Sequence, residues 1–353
     1  MSKALLKRLL GRGEEREASG ASFHLPGALA PGARVLLVDS GDLTDLLFAM
    51  PFVQRLPELY PGASAGLLCG ERCSELALSS SSFAELIVHD DEALQPGTTA
   101  AQELENLLGK GEWDLAILLG TEADPRRERL AAASGAALRV GPGHDNAYPH
   151  VNFELRPMRN DLHPSYRTRT WGRLLGVALD DTPLGWTLEP GAERQMAQLI
   201  HFNKPRKDQL LVGVDPGVGK AGTVLAPENI AFLINHVASH IRCKTLTLSS
   251  DSDGARMAEL GALLRSEQLD LPRPTLREHA LLLAQCDLFI CGNTDLFHLA
   301  VALSVPTVGI FTDADDDRWI PPSGGRFEIL RSVEGERLSL SDLMERVDRL
   351  LPK

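Results

Sequence analysis

A polar turn directly after the first apolar run of the chain carries residue types suited to acid–base chemistry. The run Arg34–Asp39 (RVLLVD) has the length and composition of a buried strand, and SGDLTD follows before a helical pattern begins. A carboxylate at the end of a strand, beside a helix N-terminus, can take a proton from an acceptor hydroxyl. The alternative is that Asp42 or Asp45 only caps the helix and interacts with its dipole.

A glycine-rich loop with one lysine follows a second apolar run, LLVGV. The loop reads DPGVGKAG and contains Gly217, Gly219 and Lys220. The amides of such a loop, with the lysine, can hold phosphate oxygens. It is not a Walker A motif, because Gly213 and Gly219 are one residue too far apart and Ala221 replaces the residue that would bind Mg²⁺. A plain surface turn is the alternative.

A third polar turn lies within CGNTDLFHLA, where an apolar strand ends and a helix begins. Asn293 or Thr294 can cap that helix, and its free amides can hold a diphosphate. The alternative is capping alone, with His298 as a partly buried side chain. Farther on, the acidic stretch 313–317 contains a D-x-D spacing, which we interpret as a solvated loop rather than a metal site.

Apolar runs and helical patterns alternate along the chain and position these turns. The first helical pattern runs from about Leu43 to Leu56, where Pro57 is expected to end it. The alternation predicts an α/β fold with parallel sheets and right-handed crossovers. It starts again after a linker, Ala178–Pro190, so two βα units of similar build are expected. Ligands in such folds bind at the carboxyl ends of the strands.

Composition excludes several classes of protein. The 353 residues carry a net charge of −12, which argues against nucleic acid as a partner. Five scattered cysteines predict neither a disulfide framework nor a zinc site. No apolar run approaches the length of a membrane span. The leucines and basic residues of segment 1–12 fit either a short amphipathic helix on an anionic membrane or a frayed terminal helix, and we favour the frayed helix.

Four segments in this order resemble glycosyltransferase family nine, the heptosyltransferases of lipopolysaccharide synthesis. The segments are RVLLVDSGDLTDLLFAMPFVQRLPELYPGA, WDLAILLG with LRVG, VGVDPGVGKAGTVLAPENIAFL, and AQCDLFICGNTDLFHLAVALSVPTVGIF. The resemblance covers about residues 33–335. It implies the GT-B arrangement, in which two Rossmann-like domains face a central cleft.

The resemblance also implies a division of the chain and a set of partners. We expect an N-terminal arm (1–32), an acceptor-side domain (33–185), a nucleotide-sugar-binding domain (186–335) and a C-terminal helix (336–353). The implied reaction is inverting transfer of a sugar from an ADP-heptose-like donor to a lipid-linked glycan acceptor, without a cofactor or essential metal. A cytoplasmic protein in peripheral contact with the inner membrane would follow.

The site residues implied by the resemblance can be assigned one by one. The family's catalytic base stands six residues before a proline, which is Pro51 here, so Asp45 takes that role. The remaining candidates lie at or near the family's donor-binding motifs, which carry over unevenly: Gly217, Gly219, Lys220, Thr223, Glu228, Asn293, Thr294, Asp295 and His298.

Three motifs depart from the family's pattern. Thr44 replaces a glycine before the base, Thr223 replaces a basic residue, and Asp295 replaces the glycine at the start of a helix. We expect the Asp295 carboxylate to lie near the free helix amides and to repel a phosphate there. Three explanations stay open: a different donor, compensation by Lys220, or lost catalysis. An active transferase is favoured over an inactive carbohydrate- or partner-binding relative, and an epimerase of similar architecture is a third alternative.

Overall fold

A computed structural model describes residues 29–351 except 156–162, 177–178, 180–181, 204–207, 221, 223–224, 250–253, 270, 272–273, 323–324 and 333–337. The interpretations of segment 1–12 and of Thr223 therefore fall outside the described residues. The described chain forms two domains, and each is built on a parallel sheet of six strands with helices on both faces. The predicted α/β fold is confirmed.

The first domain alternates strands and helices from β1 to α5. Its elements are β1 Arg34–Val38, α1 Leu43–Leu59, β2 Ser64–Gly70, α2 Glu71–Ala77, β3 Glu85–His89, α3 Thr99–Gly109, β4 Leu115–Leu118, α4 Pro125–Ala133, β5 Leu138–Pro142, β6 Phe153–Leu155 and α5 Ser165–Leu174. The strand order is β3-β2-β1-β4-β5-β6.

The second domain repeats this plan after a connecting helix, α6. Its elements are α6 Pro190–Asn203, β7 Leu210–Asp215, α7 Pro227–His240, β8 Cys243–Thr247, α8 Gly254–Leu263, β9 Glu267–Gln268, α9 Leu276–Leu283, β10 Leu288–Gly292, α10 Asp295–Ala302, β11 Thr307–Thr312, a 3₁₀ turn Asp317–Trp319, β12 Phe327–Ser332 and α11 Leu340–Leu350. The strand order is β12-β11-β10-β7-β8-β9.

Each sheet has one point where the direction of strand addition reverses. In the first domain it lies between β1 and β4, and in the second between β7 and β10. At such a point the loops after neighbouring strands lead to opposite faces of the sheet, and a crevice opens at the carboxyl ends. The three polar turns of the sequence follow β1, β7 and β10, so all three lie at these two points.

Several boundaries differ from the sequence prediction. Helix α1 continues through Pro51 and Pro57 and ends at Leu59, where the Tyr60 N–H donates to the Leu56 carbonyl. Most of α1 is buried, and this packing outweighs the hydrogen bonds that its two prolines cannot make. Helix α6 was missed: it begins at Pro190, the last residue of the predicted linker, and its only fully buried residue is Ile200. Strands β6, β9 and β12 were missed, and two of these are too short to show a periodicity.

The hydrophobic core runs from one domain into the other. One cluster of buried side chains includes Phe48 and Phe52 of α1 together with Phe289 and Phe297 of the second domain. Helix α1 packs on α10, and α2 packs on α9. The two domains therefore share an apolar interface, which holds the ends of the two sheets close together. None of the helices in the described ranges is long and apolar enough to cross a membrane.

The C-terminal helix is part of the second domain's core. Leu343 and Val347 of α11 are fully buried and join the apolar cluster formed by β7, β10 and β11. Helix α11 lies within the predicted C-terminal segment 336–353.

Truncation of this contact should destabilise the second domain. We expect Leu343→Ala to lower the free energy of unfolding by about 2–5 kcal/mol, because the substitution leaves a cavity in a packed core. Urea unfolding measures the change. The exposed Asp348 on the same helix gives the control, since Asp348→Ala should alter stability by less than about 0.5 kcal/mol. Equal effects of the two substitutions would contradict this account of α11.

Candidate active site at the two switch points

The turn after β1 places two carboxylates at the start of α1, and the structure gives them different roles. Asp42 is the helix N-cap, and its Oδ1 accepts hydrogen bonds from the Thr44 amide at 2.8 Å and the Thr44 hydroxyl at 2.6 Å. Capping is therefore the local role of Asp42. Asp45 lies one turn later and is not engaged in capping.

Asp45 is a half-buried carboxylate with a perturbed affinity for protons. Its Oδ2 accepts a hydrogen bond from the Ser40 hydroxyl at 2.6 Å. Burial raises the pKa of Asp45 to about 6 and the charge of Asp42 adds to this, whereas Ser40, Lys220 and Arg167 oppose it. A carboxylate with a pKa near 6 is mostly ionised at neutral pH yet basic enough to accept a proton.

Gly120, in the loop after β4, lies next to the side chains of Ser40 and Asp45. Its φ is +90°, which favours glycine, and a Cβ there would lie 2.7 Å from the Ser40 Cβ and 3.1 Å from the Asp45 Oδ2. The Gly120 carbonyl accepts a hydrogen bond from Arg167 of α5. Loops from both sides of the β1/β4 switch point thus form the surroundings of Asp45.

In the second domain, the loops after β7 and β10 are joined by their backbones. The Lys220 amide donates to the Asn293 carbonyl at 2.7 Å. Within the first loop, the Gly217 amide donates to the Asp215 carboxylate at 2.7 Å, and the Gly222 amide donates to the Gly219 carbonyl at 2.8 Å. The glycine-rich loop is therefore a fixed part of the site rather than a free surface turn.

Thr294 and Asn293 anchor the start of α10. The Thr294 hydroxyl donates to the Asp215 carboxylate at 2.6 Å, while its oxygen caps the helix. The Asn293 side chain is fully buried and donates to Asp315 at 3.1 Å. Asp315 also accepts from the Thr312 amide and is 5 % exposed, so the interpretation of the acidic stretch as a solvated loop is wrong for this residue.

Four charged side chains form a chain of ion pairs across the cleft. The Lys220 Nζ lies 2.8 Å from Asp42 and 2.6 Å from Asp295, and Arg72 of α2 contacts the other oxygen of Asp295 at 2.8 Å. Burial works to lower the pKa of Lys220, but the carboxylates of Asp295 and Asp42 outweigh it and leave the pKa above its usual value. The chain Asp42–Lys220–Asp295–Arg72, which we call the charge bridge, crosses the domain boundary twice.

The charge bridge changes the expectation for Asp295. The residue occupies the first turn of α10, as predicted, but its carboxylate pairs with two cations instead of lying against the helix amides alone. The negative charge is therefore compensated, and it in turn occupies the two cations nearest the helix N-terminus.

His298 is enclosed at the domain interface. Its ring lies 5.3 Å from the Phe48 ring and 6.0 Å from the Trp319 ring, measured between centroids. The side chain is fully buried, and neither ring nitrogen has a hydrogen-bond partner in the described part of the chain. Burial holds the pKa of His298 well below its usual value, so the ring is neutral. In this structure His298 contacts the interface rather than an open donor site.

The predicted residues thus divide into two groups. The structure brings together Asp45, Gly217, Gly219, Lys220, Asn293, Thr294 and Asp295 around the two switch points. Glu228 is exposed in the first turn of α7, and no contact in the described ranges ties it to this cluster.

Sequence reasoning missed Ser40, Arg72, Gly120 and Arg167. Of these, only Gly120 gave a signal, as a glycine at the end of a predicted strand.

A cavity of about 460 Å³ opens at the carboxyl ends of β8 and β9. Its lining is Thr245, Leu246, Thr247, Gly254, Met257, Gln268, Leu269, Leu271 and Pro274. The volume and mixed polarity suit a small organic group such as a nucleoside.

Neutralising Asp45 should stabilise the fold, with a defined pH dependence. The pKa of Asp45 is higher in the folded than in the unfolded chain, so its ionisation costs stability as pH rises through about 6. We expect Asp45→Asn to increase the free energy of unfolding at pH 8 by about 1–3 kcal/mol and to change it little near pH 4. Urea unfolding at both pH values tests this, with Asp208→Asn at an exposed site as control. A gain that is equal at both pH values would contradict it.

Comparisons with known proteins agree with this architecture. The family described as glycosyltransferase family 9 (heptosyltransferase) matches residues 233–343, which include α9, β10 and α10. No curated protein matches the sequence at a significant level.

Three solved structures align along most of the chain. A family 9 glycosyl transferase from Veillonella parvula shares 18% identity, covers 93% of this chain and 98% of its own, and has a TM-score of 0.74. The ADP-heptose lipopolysaccharide heptosyltransferase II of E. coli shares 16%, covers 90% and 98%, and scores 0.70. The E. coli heptosyltransferase WaaC with ADP shares 18%, covers 90% and 99%, and scores 0.67.

At these identities the solved structures establish the fold, which is the predicted GT-B arrangement of two Rossmann-like domains. The family match covers residues 233–343, which contain strand β10, helix α10 and the turn between them. Residues 233–343 thus match the glycosyltransferase family 9 model, and most of the chain has the fold of a solved family 9 glycosyl transferase and of two heptosyltransferases.

Proposed function

We propose that the protein transfers a heptose from ADP-heptose to a hydroxyl of the lipopolysaccharide core or a related glycan, with inversion at the anomeric carbon. The family match and the ADP-bound E. coli relative support this donor class. The acceptor is taken to be lipid-linked, and contact with the inner membrane would follow. The observation that carries the proposal is the position of Asp45, a carboxylate with a pKa near 6, in the turn whose Asp42 contacts Lys220 of the donor-side loop.

The reaction then needs one proton transfer and one displacement. The acceptor hydroxyl gives its proton to the Asp45 carboxylate, while its oxygen forms a bond to the anomeric carbon of the donor. The bond between that carbon and the diphosphate oxygen breaks, and its electron pair leaves with ADP. Because attack and departure occur on opposite faces of the sugar, the configuration inverts. The proton passes from Asp45 to water after the glycan is released.

The second domain supplies the counter-charge for the departing diphosphate. The N-terminal amides of α10 and the loop containing Gly217 and Gly219 can donate hydrogen bonds to phosphate oxygens, and Lys220 can neutralise part of the negative charge. Arg72 reaches the same position from the first domain. The cavity at the ends of β8 and β9 can receive the adenosine.

The comparisons give no support to the alternative of an inactive binding protein. The arrangement around Asp45 also argues against it, because a buried ionisable carboxylate is costly to keep.

The base assignment is tested by Asp45→Asn. We expect transfer from ADP-heptose to a heptose-free lipopolysaccharide acceptor to fall by about a hundredfold or more, because the amide cannot accept the proton. Calorimetric affinity for ADP should stay within a few-fold of the wild type. Asp42→Asn is the matched control in the same turn, and it should retain measurable transfer. Normal turnover by the Asp45 variant would disprove the assignment.

Competition between Asp295 and the donor gives a second test. We expect Asp295→Gly to bind ADP about tenfold more tightly than the wild type, a difference of about 1.4 kcal/mol, because Lys220 and Arg72 become available to phosphate. Lys220→Ala should weaken binding in either background. Calorimetry measures all four forms, and Asp208→Gly controls for the loss of an unrelated exposed charge. Binding by the wild type that Asp295→Gly leaves unchanged or weakens would refute the competition.

A further inference from the structure

Arg167 is a cation in the acceptor-side domain that the reaction described above does not use. It lies in the first turn of α5, and its Nη1 donates to the Gly120 carbonyl. Gly120 in turn contacts Asp45 so closely that a Cβ at this position would lie 3.1 Å from the Asp45 Oδ2. Gly120 thus links Arg167 to the surroundings of Asp45 at the β1/β4 switch point.

One nitrogen of the Arg167 guanidinium, Nη2, is buried and makes no hydrogen bond within the described residues. A buried donor without a partner costs stability, and such groups are retained mainly where a site uses them. A half-buried arginine whose charge acts on the Asp45 carboxylate points to an electrostatic role.

The charges around Asp45 support this view. Asp45 is faced by Asp42 from its own turn, by Lys220 from the β7–α7 loop and by Arg167 from α5. Lys220 is already shared between two carboxylates of the charge bridge. Arg167 forms no ion pair in the described ranges, so its charge acts on Asp45 without a competing carboxylate.

We propose that Arg167 is a positioning residue for the transferase reaction, which fixes the Gly120 carbonyl against Asp45 and supplies the positive charge that keeps Asp45 ionised before it accepts the proton. The inference rests on the proposed role of Asp45 as the base. In this role Arg167 acts through Asp45. Its loss is therefore expected to change the pH at which Asp45 works more than the binding of ADP.

The test measures Asp45 directly as well as through activity. Four full-length proteins are labelled with carbon-13 at the aspartate carboxyl carbon: the wild type, Arg167→Gln, Arg167→Met and Arg167→Lys. The Asp45 signal is identified by its absence in Asp45→Asn. Its chemical shift is then followed by NMR as a function of pH. The pH profile of kcat/KM with ADP-heptose is recorded for the same proteins. Arg126→Gln, an exposed arginine of α4, is the control.

We expect both neutral variants to move the Asp45 midpoint and the acid limb of kcat/KM to higher pH, and Arg167→Lys to restore most of the shift. A merely structural arginine would lower stability without moving either midpoint. An unchanged midpoint in folded Arg167→Gln or Arg167→Met would overturn the inference even if transfer is normal. A shifted midpoint in a wild type that transfers no heptose would overturn the proposed function and with it the role in transfer, while the effect of Arg167 on the ionisation of Asp45 would be upheld.

Discussion

The charge bridge Asp42–Lys220–Asp295–Arg72 is the interaction on which the site depends. Two of its members belong to each domain, and opposite charges alternate along it at 2.6–2.8 Å. Lys220 and Asp295 are only 15% and 12% exposed, so water screens their pair less than it would screen a surface pair. Separation of the domains would remove Asp42 from Lys220 and Arg72 from Asp295, while Lys220 and Asp295 would stay paired with each other. The shared apolar core also holds the two domains together.

This closed arrangement bears on how a donor would enter. The cations best placed for a diphosphate are already paired with the chain's own carboxylates, and His298 is sealed between Phe48 and Trp319. Under the proposed function, a donor would replace protein contacts with its own phosphate contacts, and only the difference between the two sets would appear as affinity. Asp295, which stands where the family has glycine, would thus do more than repel the ligand. Its ion pair with Arg72 joins the two domains, and a ligand that took Lys220 or Arg72 would have to break an ion pair of Asp295.

At Asp45, burial raises the pKa of a carboxylate, whereas in the charge bridge it strengthens ion pairs. Ser40, Gly120 and the neighbouring loop exclude water from its carboxylate, and this raises the proton affinity that a base requires. Arg167 and Lys220 limit the rise. A few residues from β1, β4, α5 and the second domain therefore set one pKa, although they are widely separated in sequence. None of their individual side chains would indicate catalysis alone.

The sequence by itself determined the α/β class, the two repeated βα units and the three turns that carry the site, because strand and helix periodicities and glycine-rich turns are local signals. It also identified the residues of those turns by their resemblance to a family. Only the tertiary structure decided that α1 continues through two prolines, that Asp42 caps while Asp45 is enclosed, and that Asp295 pairs with Arg72. Arg72 and Asp295 are 223 positions apart, and a contact over that distance leaves no periodicity to recognise. Burial and long-range pairing set the charges of this site, and both exist only after the two sheets have packed together.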